Sequence, residues 1–135
     1  MYFAVPILLN CLKAGHEELG QNCASLIGVL SRARNNLAVL ECAIEPLLKI
    51  LIDKSGDNEI LKRLTLILAN LASSPESRKR LFASDILDPI LKTYGHSKDL
   101  SVISNCTHTC ARLAQDIDSW SQNFQTRIIK LMMKL

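Results

Sequence analysis

The chain repeats itself. The segments "LGQNCASLIGVLS" from Leu19, "ILKRLTLILANLA" from Ile60 and "VISNCTHTCARLA" from Val102 align without gaps at offsets of 41 and 42 residues. Their apolar positions coincide as Cys23, Ile27, Leu30; Leu64, Leu68, Leu71; and Cys106, Cys110, Leu113. Each set follows i, i+4, i+7, which puts it on one face of an α-helix and is incompatible with the two-residue period of a strand. A helical unit that recurs every 40-odd residues buries its faces against its own copies, so a stacked array of helices is expected.

Two further helical units fill each period. "NNLAVLECA" (Asn35–Ala43) corresponds to "ESRKRLFASD" (Glu76–Asp85), and "IEPLLKILI" (Ile44–Ile52) to "LDPILKTYG" (Leu87–Gly95), with "VPILLNCLK" (Val5–Lys13) as an earlier copy. Pro6, Pro46 and Pro89 fall near the starts of these copies, where a missing N–H costs nothing. Gly15, Gly56 and Gly95 follow their ends, where a left-handed helix stop favours glycine. Pro75 opens another helix, with Ser73 or Ser74 as its cap. This register divides the chain into two whole repeats, 33–73 and 74–115, flanked by partial repeats at 1–32 and 116–135.

Composition agrees. At 135 residues one domain is expected, and 48% hydrophobic with 4% aromatic residues suits Leu/Ile/Ala-rich helices better than a sheet. A net charge of +3 implies neither a dedicated nucleic-acid surface nor an acidic tail. Five cysteines form no disulfide framework, the first residues make a poor signal peptide, and no apolar run is long enough to cross a bilayer. Reduced thiols in a cytosolic or nuclear protein follow from this.

With the register in hand, "NLASSPESRKRLF" resembles the armadillo-repeat pattern of Asn-Leu-Ala, a Pro-Glu turn and a short first helix. "AIEPLLKIL" is similar to the second helix of that family, and "LKRLTLILANLA" to its long third helix. The HEAT repeat is the near neighbour. The resemblance implies an all-α fold, a right-handed α-α superhelix of three-helix repeats whose third helices line a concave groove. In peptide-carrying members an asparagine at the place of Asn70 binds the peptide backbone, with a tryptophan one turn earlier. Here the tryptophan's place holds Ser25, Leu66 and His108, and the asparagine's place holds Val29, Asn70 and Arg112. Binding of extended basic peptides is therefore not expected.

The same helix face gathers Asn22, Arg63, Asn70, Asn105, His108 and Arg112, a polar and mildly basic set. Arginines recognise carboxylates and phosphates through paired donors, so an extended acidic or polar protein segment is the expected partner. The alternative is structural: Asn70 satisfies local carbonyls at a helix end, and the others form a solvated face. Arg78-Lys79-Arg80 lies on a short first helix and reads as a run facing water. "CTHTC" does not read as a metal site, because Cys106 and Cys110 face the core while His108 stands about 200° around the helix. "HEELG" at His16 has Gly20 where a zinc protease helix needs its second histidine. With no phosphate-binding glycine loop and no nucleophile elbow, no enzymatic role and no cofactor are expected.

Trp120 and Phe124 read as packing for the last first helix. Phe3, Ile7, Ile129, Met132 and Met133 are left partly uncovered, so the ends are expected to meet further repeats or another chain. A binding module is thus the leading expectation, and a spacer within a longer armadillo scaffold the alternative.

Overall fold

The computed structural model describes residues 4–13, 17–33, 36–53, 57–119 and 122–133. Helices are the only regular structure among these residues. Helix α1 (Ala4–Lys13) buries Val5, Leu9 and Leu12, and its neighbour α2 (Glu17–Ser31) opens with two glutamates that favour the positive end of the helix dipole. Helix α3 is a single turn, Leu37–Leu40, followed by a 3₁₀ turn, Glu41–Ala43, that runs straight into α4 (Ile44–Asp53). Pro46 explains the break. It has no N–H to give to residue 42, so it is tolerated only in the first turn of a new helix.

Helix α5 (Asn58–Leu71) starts at Asp57, whose side chain accepts from the Ile60 N–H at 3.2 Å. Ser74 is the residue that caps α6 (Pro75–Ala83), with Pro75 directly after it. Asp85 closes α6 in the left-handed region at φ 53°, and the Ile86 N–H reaches back to the Leu81 carbonyl at 3.2 Å. Helix α7 (Leu87–His96) follows, then α8 (Leu100–Leu113), whose cap Asp99 accepts from the Ser101 and Val102 N–H groups. A 3₁₀ stretch, Ala114–Ser119, is kinked at Asp116 and leads into α9 (Gln122–Met133).

The helices pack in rows. α2, α5 and α8 lie side by side, as do α1, α4, α7 and α9, while α3 contacts α6. Pairs α1·α2, α4·α5 and α7·α8 join the two rows, so each helix touches its counterpart one sequence period away. Of the stripes read from the repeat, Leu64, Leu68, Leu71, Cys106 and Leu113 are fully enclosed, Cys23 and Ile27 nearly or wholly so, and Leu30 and Cys110 are half-buried against the core. Truncating one such leucine to alanine costs about 2–5 kcal/mol. An Asp88–Arg127 ion pair ties α9 to α7.

Two expectations are corrected. Gly95 does not stop a helix; it lies inside α7, which continues to His96. Arg78 does not face water. It is 6% exposed, its Nε pairs with Asp116 Oδ2 at 2.8 Å, and it donates to the Ala72 carbonyl at 3.1 Å. The kink at Asp116 brings that carboxylate within reach of α6, and only Lys79 and Arg80 of the basic run are exposed. Phe3, Gly15, His16, Gly56 and Trp120 lie outside the described residues, as do the side chains of Phe124 and Met132. Ile7, Ile129 and Met133 are exposed.

Candidate partner-binding face

The α2–α5–α8 row has one open face, and all six candidate residues lie on or beside it. Helical spacing brings this about: Asn22, Arg63 and Asn105 are period-related, as are Asn70 and Arg112, and each pair of positions is separated by two turns. Asn22 and His108 are exposed, while Arg63, Asn70, Asn105 and Arg112 are half-buried.

Those four half-buried side chains reach back to the preceding helix of the row. Arg63 Nε donates to Ser25 Oγ of α2. Asn70 Nδ2 donates to Ser31 Oγ at 2.9 Å, and Ser31 in turn donates to the Gly28 carbonyl at 2.7 Å. Asn105 Nδ2 donates to Thr65 Oγ1 and to the Lys62 carbonyl of α5, each at 3.1 Å. An Arg112 guanidinium N–H donates to the Ala69 carbonyl. Asn70 thus spends its amide on a hydroxyl one period earlier, not on carbonyls of its own helix end.

Charge on the face is largely compensated within the chain. Lys62 pairs with Glu59 at 3.1 Å and with Asp99 at 3.4 Å, and Arg63 pairs with Glu59 at 3.3 Å. Hydrogen bonds from Lys62 and Arg63 hold the Glu59 carboxyl below its usual value, and the Glu59 bond and the Asp99 charge push Lys62 up. For Asp99 desolvation, the largest single influence, pushes the carboxyl up, but the Val102 and Ser101 N–H groups and Lys62 together bring it below the ordinary value. Among the described residues no carboxylate pairs with Arg112, which leaves it as the cation of this face that an incoming acid can meet.

The repeat alignment found the donors and the Ser25 position, but missed the acceptors Ser31 and Thr65. Ser25, Ser31 and Thr65 are small hydroxyl residues on the side of each helix that meets the next one, and that placement was the available signal. Glu59 and Asp99, one a first-turn residue and the other a cap of the next third helix, were also missed.

Cys23, Cys106 and Cys110 are structural in character. All five are free thiols. Burial pushes Cys106 up to about 12 and Cys110 to about 11, and burial together with the nearby Cys11 thiol raises Cys23. Thiols held this far above neutral pH are poor nucleophiles and poor metal ligands. Among the described residues no three His, Cys, Asp or Glu side chains gather where a metal ion could sit.

A cavity of about 290 Å³ lies off this face, between α4, α5 and α7, with an apolar floor of Leu51, Leu61 and Pro89 and a rim of Lys92, His96 and Ser97. Its Thr93 hydroxyl is already engaged by the Pro89 carbonyl at 2.8 Å. Among the described residues no helix is long and apolar enough to cross a membrane. No protein-family model matches the chain, and no curated protein matches it.

Proposed function

We propose that the chain is a non-enzymatic, armadillo-type repeat module that presents the open face of α2, α5 and α8 to an extended acidic or polar segment of another protein. In this reading the two rows of helices continue as a right-handed superhelix, the repeats run 33–73 and 74–115, and the open face is its concave side. The supporting observation is the set of hydrogen bonds between successive third helices, which fixes Arg63, Asn70, Asn105 and Arg112 in place. A surface already ordered before binding loses little side-chain entropy on complex formation. Asn22, His108 and Arg112 are the side chains with donors to offer, and five free thiols suit a cytosolic or nuclear setting.

The same bonds also favour a second reading, in which the segment is a spacer inside a longer scaffold. Four of the six candidate side chains are engaged within the chain, and Glu59 and Asp99 balance two of its cations.

Titration of fluorescent, extended Asp/Glu-rich and neutral polar peptides against the chain separates the two. The binding module takes up acidic peptides preferentially, loses them with salt, and is weakened several-fold by His108→Glu or Arg112→Gln. His108 is exposed, so its variant tests the face without touching the fold. Equal, negligible uptake of all peptides by wild type and variants overturns the module in favour of the spacer.

A further inference from the structure

We propose that Cys11 and Cys23 form a reversible oxidation site, closing to a disulfide that fixes α1 to α2. The two helices pack directly on one another. Their backbones come close at Gly20 of α2, where a Cβ would stand 3.9 Å from the Leu12 carbonyl oxygen of α1. Cys11 adjoins Leu12, and Cys23 follows Gly20 by about one helical turn. One turn onward along α2 and one residue back along α1 is the step that keeps a helical hairpin in register. The two thiols share a hydrogen bond, Cys23 belongs to the core, and the half-buried Cys11 packs against it. Both thiols are free, and a disulfide needs Cα atoms about 4.4–6.8 Å apart, a spacing that closely packed helices provide.

The oxidant this site takes is a small-molecule disulfide. Cys11 is half-buried and Cys23 is 6% exposed, so the oxidant meets Cys11 first. The Cys11 thiolate attacks one sulfur of the oxidant, whose S–S bond breaks and releases one thiolate, leaving a mixed disulfide on Cys11. Cys23 then loses its proton to solvent and attacks the Cys11 sulfur, and the second small thiolate leaves. Two protein thiols are oxidised and one small disulfide is reduced to two thiols. Burial makes the Cys23 proton hard to remove, so closure is slow at neutral pH and quickens as pH rises. Cys106 and Cys110 are also neighbours, but they lie on one helix and are pushed up to about 12 and about 11. The consequence falls on α1, which is held by apolar packing of Val5, Leu9 and Leu12 and, among the described residues, has no ion pair to anchor it. In a reducing compartment such a bond is transient, as redox-responsive disulfides are.

Treating the folded chain with oxidised glutathione, alkylating the remaining thiols and digesting with trypsin tests this. Cleavage after Lys13 puts the two cysteines on separate peptides, so mass spectrometry reads the bond directly. A Cys11–Cys23 cross-link is expected, formed faster at higher pH and reversed by dithiothreitol. The exposed Cys42 reports, by its own mixed disulfide, that the oxidant is active. Cys23→Ser is expected to keep the mixed disulfide on Cys11, and Cys11→Ser to leave Cys23 a thiol. In urea the same treatment gives a mixture of pairings, whereas the folded chain gives one. Hydrogen exchange of the α1 amides slows in the oxidised chain and recovers on reduction. Alkylation of both Cys11 and Cys23 beside a modified Cys42 overturns the proposal, as does a folded chain that gives the urea mixture. A cross-link that leaves α1 exchange unchanged overturns the fixing of α1.

Discussion

Asn105 of α8 bridges two acceptors on α5: its Nδ2 donates to Thr65 Oγ1 and to the Lys62 carbonyl, 40 and 43 residues earlier in the chain. Thr65 is completely buried and keeps its own bond to the Leu61 carbonyl at 2.6 Å. Asn105→Ala therefore removes two bonds but leaves the Thr65 hydroxyl a partner. A loss of about 1–2 kcal/mol in urea unfolding is expected, with an unchanged m-value.

Arg78 is the costliest surface-looking residue to replace. Arg78→Ala strands a partly covered Asp116 and frees the Ala72 carbonyl, and a loss of about 2–4 kcal/mol is expected. Arg78→Lys recovers little of it, because a single ammonium cannot serve both acceptors in the same geometry. Lys79→Ala and Arg80→Ala stay within about 0.5 kcal/mol of wild type. Thermal unfolding of the four variants checks the ranking.

Much of this architecture was legible in the residues themselves. Third-helix stripes such as Leu64, Leu68 and Leu71 repeat at helical spacing, and Ser74 stands before Pro75 where a cap is wanted, so propensity and burial agree. Arg78 was not legible because its partner, Asp116, is 38 residues away and is aimed by a local kink. Gly95 misled for a different reason: glycine permits a left-handed stop without requiring one, and among the described residues it is Asp85, at the end of α6, that takes the left-handed conformation. The candidate face was half legible. The alignment grouped the donors, but for Ser31 and Thr65 the only signal was a small hydroxyl on the side of the helix that meets the next one, and the pairing itself depends on how the helices pack.

Glycines at the α2–α5 contact give a prediction of opposite sign. A Cβ at Gly28 meets Ile67 Cγ1 at 3.9 Å, and one at Gly20 meets Ile60 Cδ1 at 3.8 Å, both ordinary contacts. Helical alanine loses less backbone freedom than glycine, so Gly28→Ala and Gly20→Ala stabilise the fold by roughly 0.5–1 kcal/mol each. A rise in the thermal midpoint checks this. Gly28→Leu, by contrast, overfills the contact and lowers it.

The Glu59–Lys62–Asp99 cluster sets a pH dependence whose direction is fixed. Glu59 and Asp99 sit below their ordinary values of 4.5 and 3.8, so the unfolded chain takes up protons first as pH falls. Their contribution is complete above those values and is lost as pH drops through the lower, folded ones. Lys62 is raised above 10.5, so its contribution is complete below that value and is lost as pH climbs through the folded value. Lys62→Met should therefore flatten part of the decline in thermal midpoint between about pH 5 and 3. Identical acid profiles for variant and wild type would contradict the assignment.

The central claim is that period-related polar side chains bind successive helices of the α2–α5–α8 row together. A double-mutant cycle on Asn70 and Ser31, whose amide and hydroxyl meet at 2.9 Å across 39 residues, measures it directly. Urea unfolding of Asn70→Ala, Ser31→Ala and the double variant should give a coupling of about 0.5–1.5 kcal/mol, with the double variant losing less than the two singles together. Strict additivity would contradict the account and return Asn70 to being an independent polar residue on an open face.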